Sequence, residues 1–204
     1  MFIHDCDRGS EAEWRDFLAG HPFGELVAAG HGRDVPVVVP TQYVLAGDEI
    51  LVHLVGHNPV WDAIAENPRV LLAVSGDWTF VPSDWKVIGD EDPRLGIPTT
   101  YYASVQLVGT ATVIEEPTGV AGVLREQLEV FQPGIDIVDP LEHGARLRVI
   151  RGLRIRVTDV RAKFKFGGNV DAAHRVAVQE RLLRRDGPGD RAAVGHLARR
   201  LTHG

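Results

Sequence analysis

The chain alternates short apolar segments with polar turns, and most of these segments have the period of strands rather than that of helices. Short strand-like segments are "GELVAAG", "VPVVVPTQYVL", "EILVHLV" and "RVLLAVSGDWTFV". Two longer ones, "TTYYASVQLVGTATVIEE" and "LRVIRGLRIRVTDVRAKFKFG", place polar between apolar side chains, as half-exposed strands do. About six strands without regular βαβ alternation predict a mainly β fold, a small antiparallel barrel with peripheral helices.

Helices are predicted between some of the strands. A short one follows Ser10 in "SEAEWRDFLA", and an amphipathic one covers residues 118–131. In "NPVWDAIAENP", Asn58 is a cap and Pro59 belongs to the first turn. A last helix begins after either Asn169 or Asp171 as its cap, and the tail beyond residue 189 is either a short basic helix or disordered.

Length and composition fit one ordinary domain with an appendage. The chain has 204 residues, of which 44% are hydrophobic and 25% charged, as in globular proteins. We predict a main domain over residues 1–182 and a basic C-terminal helix or tail over residues 183–204. The single cysteine excludes a disulfide framework. No signal peptide or 18-residue apolar run is present, so we expect a cytoplasmic location and no membrane contact.

Charge is distributed unevenly along the chain. The net charge is −6, yet residues 145–204 contain 15 Lys and Arg against five Asp and Glu. Such a basic region can attract phosphate, nucleic acid or an acidic partner. Alternatively, the acidic part of the same fold, or of a twin subunit, neutralises it.

Sequence motifs of several enzyme classes are missing. There is no HExxH, no Walker loop, no GxGxxG and no GxSxG elbow. His53 and His57 are four residues apart, but on a strand and a turn rather than on one helical face, so we predict no metal site. No acid, base or nucleophile stands out as catalytic.

Polar residues at strand ends and turns are the remaining candidates for a binding site. Each also has a structural interpretation, such as a helix cap or an edge-strand lysine that prevents unwanted strand pairing. The strand-to-helix joint before Pro59 could offer free N–H groups to an anion. The candidate ligand-binding residues are His53, His57, Asn58, Ser83, Thr99, Thr100, Tyr101, Lys163, Lys165 and Asn169.

Several of these residues occur in segments that match a known family pattern. "VHLVGHNPVW" has His53, Asn58 and Trp61 in register with Gly-His-Leu-Ala-Arg-x-Asn-Pro-x-Trp. "FVPSDWK" keeps Trp85 of Tyr-x-Ser-Pro-Ser-Trp-Tyr. "IPTTYY" keeps Thr99 of Val-Pro-Thr-Trp-Asn-Tyr, and a Gly-punctuated strand follows it, as in the family.

The last matching segment is "AKFKFGGN", which keeps Lys163, Lys165 and Asn169 of Gly-Lys-Trp-Lys-Leu-Ser-Gln-Asn. Over roughly residues 1–182 the chain resembles the FMN-binding negative transcriptional regulators of the PaiB type, which belong to the FMN-binding split-barrel superfamily. Three places depart from the pattern, with Gly for Arg, Thr-Tyr for Trp-Asn and Gly-Gly for Ser-Gln. They fall at Gly56, at Thr100 and Tyr101, and at Gly167 and Gly168.

The resemblance implies a six-stranded antiparallel split barrel, a homodimer, and FMN sites at the dimer interface that use the candidate residues. It implies either a redox flavoprotein, which as an enzyme would be an FMN-dependent oxidoreductase, or a flavin-linked regulator. The absence of a catalytic side chain suits flavin chemistry, in which the cofactor carries out the difficult step. The alternative is a non-enzymatic transcriptional repressor that contacts DNA through its basic C-terminal region.

The segment "RAKFKFGGN" gives a specific prediction. Period 2 places Lys163 and Lys165 on one side of the last strand and Phe164 and Phe166 on the other. We expect the phenylalanines to be buried and the lysines to reach the flavin site. The alternative is that the lysines only protect a sheet edge.

Overall fold

The computed structural model describes residues 1–87 and 92–202, which form two compact units. The first unit consists of Met1–Trp14, Ser75–Val105 and Arg161–Gly204. The second unit consists of Arg15–Val74 and Gln106–Val160. This division does not test the predicted boundary between residues 182 and 183, which stays a prediction.

The sheet has seven strands in the order β2-β1-β5-β6-β7-β4-β3. Both ladders of β1 and both ladders of β4 are antiparallel, which confirms the predicted mainly β, antiparallel fold. The three long strands contribute residues to both units. The strands are β1 Phe23–Ala28, β2 Val37–Gln42, β3 Val44–Ala46, β4 Glu49–Val55, β5 Arg69–Val81, β6 Thr99–Ile114 and β7 Ile150–Lys165.

The predicted count of six strands is wrong, because "VPVVVPTQYVL" forms two strands. Residues before Tyr43 pair with β1, and residues after it pair with β4. Tyr43 is buried, its N–H donates to the carbonyl of Pro22 at 3.1 Å, and its hydroxyl donates to the carbonyl of His21 at 2.9 Å. These bonds hold the chain at the point where it changes partners. Pro40 lies in the outermost strand β2, where a missing N–H is tolerated.

The position of Tyr43 also limits how far apart the two edge strands can lie. β2 and β3 occupy opposite ends of the strand order, yet Tyr43 alone separates them in the chain. Consecutive Cα atoms are only about 3.8 Å apart. The end of β2 and the start of β3 therefore lie close together, although the two strands stand at opposite ends of the strand order.

Five α-helices accompany the sheet within the described ranges. They confirm the predicted positions, and the tail beyond residue 189 is a helix rather than a disordered segment. Asp171, not Asn169, is the cap of the fourth helix, because its Oδ1 accepts the N–H of His174 at 2.7 Å. The helices are α1 Glu11–Gly20, α2 Val60–Glu66, α3 Pro117–Phe131, α4 Ala172–Arg185 and α5 Asp190–Thr202.

The first unit packs α4 and α5 around the end of β7. Phe164 and Phe166 are fully buried, as predicted, and the Phe166 ring stacks on His196 of α5 at 4.3 Å between centroids. His196 also bonds to Asp77, with Nε2 and Oδ2 2.8 Å apart. These contacts pack α5 against the end of β7 and against β5.

A buried polar cluster fixes the beginning of α5. Asp190 is fully buried and accepts hydrogen bonds from Arg185 at 2.5 Å, from Thr79 at 2.5 Å and from the N–H of Gly187 at 2.8 Å. The hydrogen bond from Arg185 is the main reason why the pKa of Asp190 is lowered to about 2. The carboxylate is therefore ionised at neutral pH and ties β5, the turn and both C-terminal helices together.

Candidate functional site

The strand-to-helix joint is built around Asn58. Its Oδ1 accepts the N–H of Val60 at 3.0 Å, and its carbonyl accepts the N–H of Trp61 at 3.2 Å. Asn58 is therefore the predicted cap of α2. Pro59 has no N–H, and the N–H groups of Val60 and Trp61 are already bonded to Asn58. The predicted anion contact at the joint stays a prediction.

The two histidines of the joint have different environments. His53 is half-buried on β4, and its Nδ1 lies 2.5 Å from Oε1 of the buried Gln127 in α3. Since the amide oxygen can only accept, Nδ1 carries the proton. His57 is exposed in the turn. Both belong to the second unit, and their predicted role toward the flavin is untested.

Replacing Asn58 separates the two roles predicted for it. The Asn58→Ala variant loses the cap, and we expect the free energy of unfolding to fall by about 1 kcal/mol. Urea denaturation measures this loss, and FMN titration of the same variant measures affinity. Weaker FMN binding would support a ligand role, whereas unchanged affinity would leave Asn58 as a cap only.

The first unit contains a cavity of about 520 Å³ that brings four of the predicted residues together. This volume is within the usual range for small-molecule and cofactor sites. It lies where β6 begins and β7 ends. The four are Thr99, Tyr101, Lys165 and Asn169; the other lining residues are Lys86, Leu95, Gly96, Ile97, Pro98, Gly167 and Val170.

Lys165 is the predicted cation in this cavity. Its Nζ donates to Oγ1 of Thr99 at 2.6 Å, which fixes the end of a flexible side chain. An ammonium group has three N–H donors, so this bond leaves others for a ligand. Asn169 follows at the open side of the cavity, where it is exposed.

Tyr101 provides a buried donor that has no partner in the described part of the chain. Its side chain is 1% exposed, and its hydroxyl makes no hydrogen bond to any described residue. Burial raises the pKa of Tyr101 to about 12, so the hydroxyl keeps its proton. A buried polar group without a partner costs free energy, so this hydroxyl calls for an explanation.

The shape of the cavity depends on two glycines. Gly167 has a φ of +68°, and a Cβ added there would lie 2.7 Å from the Tyr101 hydroxyl. A Cβ on Gly96 would lie 1.9 Å from the carbonyl oxygen of Ser83. Ser83 thus supports the wall through its backbone rather than lining the cavity with its side chain. Any larger residue at these two positions would push the wall or the tyrosine out of place.

Lys163 does not line the cavity with Lys165. It is buried, donates to the carbonyl of Phe2 at 3.1 Å, and its Nζ lies 3.9 Å from Oδ2 of Asp7. It also lies 5.7 Å from the ring centroid of Tyr102. The structure thus gives Lys163 a role in holding the N-terminal segment, while the predicted contact with flavin is untested. Thr100 is half-buried on β6 and is also absent from the lining.

Sequence reasoning missed Lys86. It follows the short 3-10 helix Ser83–Trp85, in a turn-rich stretch without periodicity that would predict its direction. Burial and the charge of Lys165 lower the pKa of Lys86. The sequence signal that could have identified Lys86 is its position just after the "PSDW" motif.

Several cations of the basic C-terminal region have acidic partners within the same unit. Arg185 pairs with Asp190, Arg191 with Asp186 and Arg200 with Glu13. The Arg200–Glu13 pair shows that the same fold balances part of the charge. DNA binding stays a prediction, and deleting residues 184–204 would not test it cleanly, because α5 contributes buried side chains to the core.

Residues 1–87 and 92–202 contain neither a metal-binding cluster nor a membrane-spanning helix. No group of three or more His, Cys, Asp or Glu side chains is arranged to hold a metal ion there. None of the helices in those ranges combines the length and apolar character needed to cross a membrane.

Comparison with known proteins decides the family. The sequence profile described as "Putative FMN-binding domain" matches residues 1–159. The chain belongs to this FMN-binding family. It is also 25% identical over 198 residues to the Protease synthase and sporulation protein PAI 2 of Bacillus subtilis (strain 168), covering 92% of each chain.

Solved structures show the same fold. The FAD and heme binding protein from Mycobacterium smegmatis superposes with a TM-score of 0.61 and 22% identity, covering 82% of this chain and 77% of the other. A flavocytochrome from Azotobacter vinelandii superposes with a TM-score of 0.59 and 19% identity, covering 80% of this chain and 75% of the other. The family confirms the predicted resemblance: the protein is an FMN-binding flavoprotein with a split-barrel fold, and FMN is its cofactor.

Proposed function

We propose that the cavity of the first unit is the FMN site, and that the protein works as a redox flavoprotein or a flavin-linked regulator. Tyr101 carries this proposal, because it lines a cavity of cofactor size and its buried hydroxyl has no partner among the described residues. The name of the relative PAI 2, which refers to protease synthesis and sporulation, supports a regulatory role.

The side chains around the cavity suit the polar groups of a flavin. Lys165, fixed by Thr99, would hold a negatively charged or carbonyl oxygen. The Tyr101 hydroxyl would donate a hydrogen bond to a second oxygen, and the Asn169 side chain offers both hydrogen-bond donors and an acceptor. When bound, FMN supplies electron transfer, and the residues described here bind and orient it.

A second copy of the chain would complete this site. Leu95 and Ile97 line the cavity, yet they are 70% and 78% exposed. On β5 of the same unit, Trp78 and Phe80 are 63% and 50% exposed. Large exposed apolar side chains of this kind are candidates for an interaction surface. We propose that a homodimer covers them and closes the cavity; a cytoplasmic location is part of the same proposal.

The dimer can be tested at Ile97. A charge placed by Ile97→Asp in an apolar interface should shift the protein toward monomer, since a buried carboxylate without a partner is costly. Analytical ultracentrifugation measures this, with the exposed Val35→Asp as the matched control. We expect FMN affinity to fall in the first variant only. A dimer that persists in Ile97→Asp would place the interface elsewhere.

The cofactor site can be tested at Tyr101. Purified protein titrated with FMN should quench flavin fluorescence and shift its absorption spectrum. Tyr101→Phe removes only the hydroxyl, and we expect a several-fold weaker FMN affinity, because one neutral hydrogen bond contributes about 1 kcal/mol. Stability without FMN should hold or rise, since the unpaired donor is gone. Weaker stability with unchanged affinity would show that the hydroxyl is satisfied within the protein.

The two forms of the proposal differ in turnover. A redox enzyme should allow NADH or NADPH to bleach the bound flavin and should reoxidise with an acceptor. A flavin-linked regulator should bind FMN without rapid reduction by either nucleotide. Stopped-flow absorbance of the loaded protein distinguishes them.

A further inference from the structure

We propose that a groove beside the C-terminal half of α3 is a docking site for a cationic amphipathic helix of a partner protein. The groove is formed by α3, by the loop of residues 132–139 and by the start of the 3-10 segment Pro140–Val149. It has a volume of about 450 Å³, and its described lining residues all belong to the second unit. The proposal is therefore independent of the flavin site proposed for the first unit.

One side of α3 packs against the sheet and another side forms the groove. Val123 and Gln127 are buried on the packed side, and the Gln127 amide bonds to His53 of β4. The groove side carries residues at spacings of three and four, which lie together on a helix surface. They are Arg125, Leu128 and Glu129, followed by Gln132 at the helix end. The sheet thus leaves this side of α3 available to a partner.

The loop places large apolar side chains at the surface. Ile135, Ile137 and Val138 line the groove and are between 45% and 60% exposed. Val130 and Leu141, which adjoin lining residues in the chain, are 54% and 42% exposed. Single exposed apolar residues are ordinary, but a group of them around a concave surface is typical of an interaction site.

An ion pair and two backbone contacts hold this loop in place. The carboxylate of Asp139 accepts two hydrogen bonds from the guanidinium of Arg125, both at 2.7 Å, and its Oδ1 also accepts the N–H of Leu141 at 2.8 Å. The N–H of Ile135 donates to the carbonyl of Gln132 at 3.3 Å. A fixed loop presents the apolar side chains, so a partner would lose little binding free energy in ordering it.

The charge of the groove indicates the chemistry of the partner. Residues 126–145 supply all the described lining residues except Arg125, and they include five Asp or Glu and no Lys or Arg. Arg125 is already paired with Asp139. Glu129 and Asp136 are exposed, and neither has an ion pair with a described residue. These carboxylates repel the phosphates of nucleic acids and anionic lipids, whereas they attract the Lys and Arg side chains of a protein.

An amphipathic helix would match both the apolar and the acidic features of the groove. Its apolar residues, repeated every three or four positions, would enter the groove between α3 and the loop. Lys or Arg beside them would reach Glu129 and Asp136. The buried apolar contacts would supply most of the affinity, and the charges would set the orientation of the helix.

The probe for this site is a synthetic helix of Leu and Lys with all Leu on one face, added to the purified full-length protein. Fluorescence anisotropy of the labelled peptide measures affinity, and amide chemical shifts of the isotope-labelled protein locate the contact. We expect the shifts to concentrate in residues 125–141. A peptide of the same composition in scrambled order should bind about tenfold more weakly, because it has the charge but no apolar face.

A matched pair of double variants tests the groove itself. Asp136→Asn with Ile137→Ser removes one carboxylate and one apolar contact, and it should weaken the helical peptide about tenfold. Asp34→Asn with Val35→Ser makes the same kind of change at neighbouring exposed residues between β1 and β2, in the same unit, and should bind as wild type. All four positions are exposed, so both variants should keep the fold.

Four results would overturn the inference. Chemical shifts scattered over other surfaces would place the contact elsewhere. Equal affinity for the helical and the scrambled peptide would show attraction by charge alone. Equal weakening in the two double variants would remove the groove from the contact. If Asp136→Asn with Ile137→Ser changed the sedimentation of the protein without peptide, the groove would be covered by a second copy of the chain rather than by another protein.

Discussion

Asp190→Asn should lower the free energy of unfolding by about 3 kcal/mol. Removing one member of a buried ion pair costs about 3–5 kcal/mol, and the lower end applies because the Arg185 side chain is still 33% exposed. The substitution keeps the shape of the side chain, so no cavity adds to the effect. Urea denaturation of both proteins at neutral pH measures the difference.

Asp186→Asn is the matched control in the same turn. Asp186 pairs with Arg191, but both side chains are largely exposed, so little change is expected. Acid titration adds a second check. The folded pKa of Asp190 is about 2, against an ordinary value of 3.8. Its contribution is therefore complete above the ordinary value and is lost as the pH falls toward 2. A wild type and variant with parallel stability curves over that range would contradict this account.

Lys165→Met should weaken FMN binding by about 10- to 100-fold. The variant removes a charge-assisted hydrogen bond, and such bonds contribute about 1.5–3 kcal/mol. It also leaves the Thr99 hydroxyl without its donor. Methionine keeps most of the apolar stem, so the fold should be retained, and fluorescence titration over a salt series measures the loss.

Lys163→Met is the informative comparison, because it lies two residues away on the same strand. We expect FMN affinity to hold and stability to fall, since the buried Asp7 would lose its cationic neighbour. An equal loss of FMN affinity in both variants would show that Lys163 also contributes to the ligand site. Unchanged affinity in both variants, with new aggregation, would mean that the lysines only protect a sheet edge.

Local patterns predicted much of the fold because their causes are local. The alternation in "KFKF" correctly predicted that Phe164 and Phe166 are buried, and the cap at Asn58 follows from the next two residues. The division of a strand at Tyr43 could not be predicted, since tyrosine favours strands and its hydrogen bonds come from the preceding turn. Propensity says nothing about such a change of partner.

The candidate site was predicted in part, for the same reason. Thr99, Tyr101, Lys165 and Asn169 lie in two segments whose order along the chain matches the family pattern, and the fold brings them together. Lys163 obeys the same period as Lys165 but meets Asp7 and Phe2, which are more than 150 residues away in sequence. Such distant contacts leave no periodic signal, and neither does the turn that carries Lys86.

The place of β7 in the sheet has a consequence for how the protein is made. β7 is the last strand in the chain, yet it lies between β6 and β4 in the strand order. Glu49 pairs with Arg156 and Val55 with Ile150, so this ladder joins residues about a hundred positions apart. Pairings of such high contact order form slowly. On the ribosome, β4 and β6 therefore wait with open edges until residues 150–165 emerge, and the nascent chain is most exposed to misassembly during that interval.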